Sequence, residues 1–290
     1  KMAPNHAQEG IYNMGNLADL AMQRFGMVVD VAEEAPGSET LATILSHRTH
    51  RRFLDKPVAE DTLNLLFACA LSAPAKSDLQ QVAIIRVQNP EKRKDIAALM
   101  PEMGWIGSCP VFLLFCGDSR RIRKLGELRG NPFANDHLDA FLNAAVDTAL
   151  VMQNFIIAAQ AADLGCCPIS IVRNHIDSIA EITALPDFVF PVAGMCLGHP
   201  SHPGFTSTRL PPEITIHTDQ YDDSDLPRQI NAYDHRRNEI YRIPPEKYRM
   251  AAESGSPDFY GWSEDKTRQV SVRERDDLAD YLRRHGFCLD

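Results

Sequence analysis

Ser46-His47-Arg48-Thr49-His50-Arg51-Arg52-Phe53 places three arginines, two histidines and two hydroxyls within eight residues of a chain whose net charge is -9. Guanidinium forks and hydroxyls at this density suit phosphate oxygens, which accept several charge-assisted hydrogen bonds at once. Residue types alone leave three readings open: a solvated face of surface ion pairs, a nucleic-acid contact, or a phosphate-binding turn. No aromatic interleaving supports the second, and an acidic chain lacks the distributed positive charge of a general nucleic-acid surface. The segment falls where a helix ends, between the apolar stripe Leu41, Ile44, Leu45 and the turn at Lys56-Pro57.

A second cluster, Ser72-Ala73-Pro74-Ala75-Lys76-Ser77-Asp78-Leu79-Gln80, follows one predicted helix and leads into a predicted strand. Its small polar residues suit backbone and amide contacts to a flat heterocycle; they equally make an ordinary loop. The third is Cys196-Leu197-Gly198-His199-Pro200 ahead of Thr208-Arg209-Leu210-Pro211, a loop after a strand whose arginine can add a late phosphate contact. No GxGxxG, GxxxxGK[ST] or GxSxG occurs, so a phosphorylated cofactor would be held by another route than the common dinucleotide and nucleotide loops.

The elements that must position these clusters come from an ordinary soluble composition, with 44% apolar and 24% charged residues in a 290-residue chain. That length buries a large core in one elaborated domain or two smaller ones. No uninterrupted apolar run approaches a membrane span, and Lys1 to Met27 has no apolar core of a secretory signal, so a cytoplasmic location is expected. The seven cysteines are odd in number, with Cys166 and Cys167 adjacent, which points to reduced thiols rather than a disulfide framework. No Cys/His spacing resembles a zinc site, and no metal is expected.

Residues 1–36 read as a helical arm, with Ile11, Met14, Leu17, Leu20 and Ala21 at helical spacing. Ser38 is the expected N-cap of a helix to about Ser46. Pro57-Val58 opens a helix with the stripe Leu63, Leu66, Phe67, Ala70 that stops at Ala73-Pro74. Strands are expected over 82–87 and 111–116, with a helix over 90–100 between them and a basic helix over 119–129 after them. The longest helical pattern, 136–164, is apolar around most of its circumference, must be covered on most sides, and so predicts a subunit interface. Gly165 is its expected terminator. A third strand over 169–172, a helix capped by Asn174 and a fourth strand over 189–197 complete an alternation that gives a layered architecture. Composition shifts near Tyr221 into an extension that closes with a helix over 276–284.

Taken together, these segments resemble the FMN-dependent nitroreductase family, in its longer flavin-reductase-like, oxygen-insensitive nitroreductase branch. His47 to Phe53 followed by Pro57-Val58 is similar to the family's N-terminal signature. Ala73 to Gln80 leading into Val82-Ala83-Ile84-Ile85-Arg86-Val87 resembles its second flavin segment, and Leu164 to Ser170 its long-helix terminus and the loop past the flavin ring. Gly194 to Pro200 with Arg209-Leu210-Pro211, then Trp262-Ser263 and Tyr281 to Gly286, resemble the branch's strand, phosphate loop and closing segments. The resemblance spans about residues 38 to 288.

It implies an α+β, nitroreductase-like three-layer fold, a central mixed sheet flanked by helices, in an obligate dimer with a long interface helix. Residues 1–36 would be an N-terminal arm, 37–220 the FMN-binding core and 221–290 an extension wrapping the core or the partner subunit. His47, Thr49 and Arg209 would grip the FMN phosphate, with Arg48 undecided between cofactor and surface. Arg51 would approach the ribityl chain and the N1/O2 side of the ring. Ala75, Lys76, Ser77 and Gln80 would contact the flavin from one side, with Ser108 a neighbour, and Pro168, Ile169 and Ser170 would present backbone to the N5/O4 edge. His50 and Arg52 would serve the surface or the dimer.

The implied activity is ping-pong hydride transfer from NADH or NADPH to a small nitroaromatic, quinone or flavin acceptor, with no catalytic acid or nucleophile. The alternative is a flavin-binding carrier or sensor without turnover. The chain departs from the branch's pattern at Lys76, at Pro168-Ile169-Ser170-Ile171 in place of a glycine-rich loop, and at Ser207, where the branch carries a basic residue. Glu253 and Asp258 stand where NADPH users place arginines; like charge would repel a 2'-phosphate, which favours NADH. The arm has no counterpart in the family.

Overall fold

The computed structural model describes residues 16–250, 255 and 257–290; Ile11, Met14 and Glu253 lie outside the described residues. In chain order the elements are α1 (Leu17–Phe25), α2 (Ser38–Leu45), α3 (Glu60–Leu71), β1 (Val82–Arg86), α4 (Pro90–Ala98), α5 (Trp105–Ser108), β2 (Val111–Asp118) and α6 (Arg120–Arg129). There follow α7 (Leu138–Ala161), β3 (Gly165–Ile169), α8 (Ile176–Thr183), β4 (Val189–Gly198), α9 (Pro212–Thr215), α10 (Leu226–Ile240), α11 (Trp262–Val270) and α12 (Leu278–Arg284). The described chain divides into two compact units: residues 47–205 with 275–290, and residues 16–46 with 206–274.

In the first unit the strands lie in the order β1-β2-β4-β3, each neighbouring pair antiparallel. The four strands are thus antiparallel rather than mixed as expected, and the parallel contact among the described residues is an isolated bridge, Thr49 to Cys166, outside them. Side-chain alternation builds the layers. Val111, Leu113 and Phe115 of β2, with Met195 and Leu197 of β4, pack against α3 and α7. Phe112, Leu114 and Cys116, with Cys167 and Ile169 of β3, pack on the other face against Ile96, Ile106 and Ile179 of α4, α5 and α8. The result is helix, sheet, helix, as the resemblance implied. A third cluster joins α12 to this unit: Tyr281, Leu282 and Phe287 bury against Ala144, Ile176 and Phe190.

Helix α7 is long and apolar enough to cross a membrane by length and composition. Its inner face is core, with Phe155 and Ala159 fully buried against the sheet. Its outer face carries Leu138, Leu142, Val146 and Leu150, spaced by four and 52%, 53%, 46% and 38% exposed. That spacing makes one continuous apolar stripe.

Three local expectations are corrected. The N-cap of α2 is Gly37 in the left-handed region; Ser38 is the first helical residue, and its hydroxyl donates to the Ala35 carbonyl at 2.6 Å. The third strand is Gly165–Ile169, whereas Ser170–His175 forms a 3₁₀ turn. The β-branched run at 169–172 has strand propensity, but pairing with β4 starts the strand four residues earlier, so tertiary context overrides propensity. Asn174 does not cap α8; its side chain accepts from Arg275 Nε at 2.7 Å.

Nor does Gly165 end α7. The reversal is made by Asp163 at φ 54°, and Leu164 donates back to the Ala159 carbonyl at 2.8 Å. Gly165 is required for a different reason: a Cβ there would lie 2.7 Å from the Cβ of His50.

The second unit holds α1, α2, α9, α10 and α11. Leu17, Leu20 and Ala42 join α1 to α2. Tyr233 of α10 is 1% exposed and stands edge-on to Trp262 at 5.4 Å. Asp234 accepts from the Ser263 amide at 3.0 Å and from its hydroxyl, which anchors the start of α11.

Gly165→Ala forces His50 away from β3, and overpacking of this kind costs about 1–3 kcal/mol. Urea unfolding of the variant should show that loss as a lower midpoint with an unchanged slope.

Candidate active site

The segment from His47 to Leu54 is laid along the free edge of β3 and across the loop after β4. The His50 amide donates to the Cys166 carbonyl at 2.9 Å, beside the Thr49–Cys166 bridge. Further on, Phe53 bridges Pro200, the Leu54 amide donates to the His199 carbonyl at 2.8 Å, and the Ser201 amide donates to the Arg52 carbonyl at 3.1 Å. Pro168 has no N–H to give to a longer ladder, so the pairing with β3 stays short.

Within this frame His47 Nδ1 meets the Gln160 side-chain oxygen, on the polar end of α7. Arg48 Nη1 donates to the Pro203 carbonyl at 3.0 Å. The hydroxyl of Thr49 and the guanidinium of Arg51 have no hydrogen-bond partner among the described residues; Arg51 is exposed, and its charge only partly opposes the burial that pushes the Cys167 thiol up. Pro168, Ile169 and Ser170 are at the far end of β3. Ser108 is exposed, while Trp105 and Cys109 of its own turn face Cys167 and Cys196. Donors suited to an anion therefore lie beside a strand end that offers backbone.

His50 corrects an expectation: it serves neither surface nor dimer, being 1% exposed. Its ring is wedged between Gly165 and Gly204, where a Cβ would come within 2.9 Å of the ring. Both ring nitrogens lack a hydrogen-bond partner among the described residues. Burial first, then the charges of His202, Arg48 and His47, push its pKa from 6.5 down to about 4. It is a neutral spacer at neutral pH.

The loop Ala75–Gln80 is held differently. Asp147 of α7, 1% exposed, accepts from the Lys76 amide at 2.8 Å and the Gln81 amide at 3.1 Å. Arg121 of α6 donates to the Gln80 carbonyl at 2.8 Å. These bonds hold Ser77, Asp78 and Gln80 at φ 49°, 57° and 52°. Left-handed conformations at non-glycine residues cost about 1–3 kcal/mol each and cluster where function fixes the backbone. The loop borders an open groove of about 880 Å³ with Leu71, Ile84, Leu125 and Val151.

This loop and the Thr49 segment are at opposite corners of one sheet. Val82 pairs with Gly117 and so stands in the row of Phe190, whereas Thr49 stands in the row of Cys166 and Leu197. Four strand spacings of about 4.8 Å and seven residues of about 3.3 Å separate them by about 30 Å. The chain brings His47, Arg48, Thr49, Arg51, Pro168, Ile169 and Ser170 to one corner, with Ala75, Lys76, Ser77 and Gln80 at the other. Arg209 belongs to the second unit, where its Nη1 donates to the Ser207 carbonyl at 3.1 Å. Sequence reasoning missed Asp147 and Gln160. Both are polar residues on the buried side of an otherwise apolar helix, which was the available signal.

Fold and site define a three-layer α+β protein with a basic segment fastened to a sheet edge. The Nitroreductase family model matches residues 44–199, and that of the Nitroreductase family, C-terminal domain, matches residues 207–290; the chain belongs to the nitroreductase family. It is 35% identical over 256 residues to an FMN reductase [NAD(P)H] of Bacillus subtilis, covering 87% of this chain and 99% of that protein. To an oxygen-insensitive NADPH nitroreductase of Salmonella typhimurium it is 30% identical over 252 residues, covering 87% and 99%. The solved structure of B. megaterium NfrA2 superposes with a TM-score of 0.78 at 30% identity, covering 87% of this chain and 99% of that one.

His50 titrates near pH 6.5 in the unfolded chain and near 4 in the folded one, so acidification between those values favours unfolding. The stability at stake is about 3 kcal/mol. Thermal melts between pH 7.5 and 4.5 should show this loss in the wild type and a flatter profile in His50→Phe.

Proposed function

We propose that the chain is an FMN-dependent oxidoreductase that passes hydride from NADH or NADPH to nitroaromatic, quinone or flavin acceptors by a ping-pong route. The observation that carries this reading is the cluster at the β3 edge, where a hydroxyl and a guanidinium without a hydrogen-bond partner among the described residues stand beside a strand end in a chain of this family. The donor set fits the cofactor: hydroxyl, imidazole and guanidinium groups suit a phosphate, and an exposed cation suits the pyrimidine edge of a flavin.

FMN, when bound, supplies the hydride-carrying ring. His47, Thr49 and Arg209 hold its phosphate, with Arg48 at the margin. Arg51 sets a fixed positive charge at the N1/O2 side, where negative charge develops on reduction, and so favours the reduced form. Pro168, Ile169 and Ser170 offer backbone to the N5/O4 edge, with Ser108 close by. The loop Ala75–Gln80 of the same chain stands too far off to share that ring. A second copy of the chain supplies it instead, and the apolar stripe of Leu138, Leu142, Val146 and Leu150 supports such a homodimer. Asp147 and Arg121 keep that loop rigid enough to present Lys76, Ser77 and Gln80 across the interface. The seven free thiols suit a cytoplasmic setting.

The test is anaerobic mixing of the FMN-loaded protein with each reductant. The oxidised-flavin absorbance should bleach, faster with NADH if Glu253 and Asp258 repel a 2'-phosphate. Bound FMN that neither reductant bleaches would favour the carrier or sensor instead. Arg51→Ala should weaken FMN retention about tenfold, as expected for losing a bond to a charged group. Arg52→Ala should leave it unchanged.

A further inference from the structure

We infer that Arg24, in the last turn of α1, is a positioning residue for the phosphate-binding arginine Arg209. The inference rests on reading Arg209 as an FMN phosphate ligand. It concerns a helix that the family model does not reach, since that model begins at residue 44.

The Arg24 side chain is nearly buried, at 6% exposed. Its Nε and Nη2 donate to the Leu45 carbonyl at 3.0 and 2.8 Å, and its Nη1 donates to the Ser207 carbonyl at 2.7 Å. The backbone adds a fourth bond, from the Arg209 amide to the Arg24 carbonyl at 2.8 Å. Leu45 ends α2, two residues before His47; Ser207 stands two residues before Arg209. One guanidinium thus ties the end of α2 to the stretch that leads into Arg209.

The Ser207 carbonyl receives Arg24 Nη1 at 2.7 Å and Arg209 Nη1 at 3.1 Å. A carbonyl oxygen has two lone pairs, and each takes one guanidinium. Arg24 therefore fixes the oxygen on which Arg209 is braced. Phe25, the next residue, walls a cavity of about 600 Å³ together with Ser207, Arg209, Tyr233 and Trp262. Only an arginine makes this connection, because a planar fork can bond one carbonyl twice and reach another.

Fluorescence quenching on the apoprotein, titrated with FMN and separately with riboflavin, tests the idea. Riboflavin lacks the phosphate and reports on everything else in the site. Arg24→Ala should weaken FMN about tenfold and leave riboflavin unchanged, with Arg24→Lys intermediate. Arg24→Ala in an Arg209→Ala background should cost nothing further, since coupled residues are not additive. Equal weakening of both flavins would mark a merely structural role and overturn the inference, as would unchanged FMN affinity or full additivity. A wild type that binds neither flavin would overturn the functional reading on which it rests.

Discussion

The His50 amide donates to the Cys166 carbonyl at 2.9 Å, and the imidazole beneath it is clamped between Gly165 and Gly204. This attachment sets where Thr49 and Arg51 stand, because residues flanking a short bridge inherit its register. A charged His50 would disrupt it, and burial keeps the ring neutral. The segment is basic on its outer positions and packed at one inner position. A cluster of cations with no packed member would have been a solvated face; this one is fastened to the core.

The second constraint is distance. Asp147 holds the strained loop at one corner of the sheet, while the β3 edge holds the basic segment from His47 at the other. In the proposed homodimer, a two-fold axis would bring unlike corners together twice, as an isologous interface does. The apolar stripe on α7 lies on the same helix as Asp147, so the surface that would meet a second copy and the residue that shapes the donated loop are parts of one rigid element.

Much of this was legible in the residues. In the first unit the order of the longer helices and the strands, and the layers they form, followed from periodicity, turn chemistry and the family resemblance; the helices at 212–215, 226–240 and 262–270 did not. What escaped was set by partners remote in sequence. Gly165 read as a helix stop because a glycine after an apolar helix usually is one; only the approach of His50, 115 residues earlier by number, gives its actual reason. His50 read as a surface residue because its neighbours in sequence are arginines. The third strand was misplaced because β-branched residues outweighed the pairing that β4 imposes. Arg24 carries no local signature, since its partners are backbone groups, which look alike in every sequence.

The claim most in need of test is that each cofactor site is shared between two copies. Arg51→Ala disables one corner; Asp147→Ala, by freeing the strained loop, disables the other. Each variant alone should retain little FMN. Differently tagged copies of the two should form a heterodimer in which one site carries both defects and the other carries neither. That heterodimer, isolated by tandem affinity, should hold about half the wild-type FMN per chain. A heterodimer as empty as its parents would contradict a shared site and place the whole of each cofactor within a single chain.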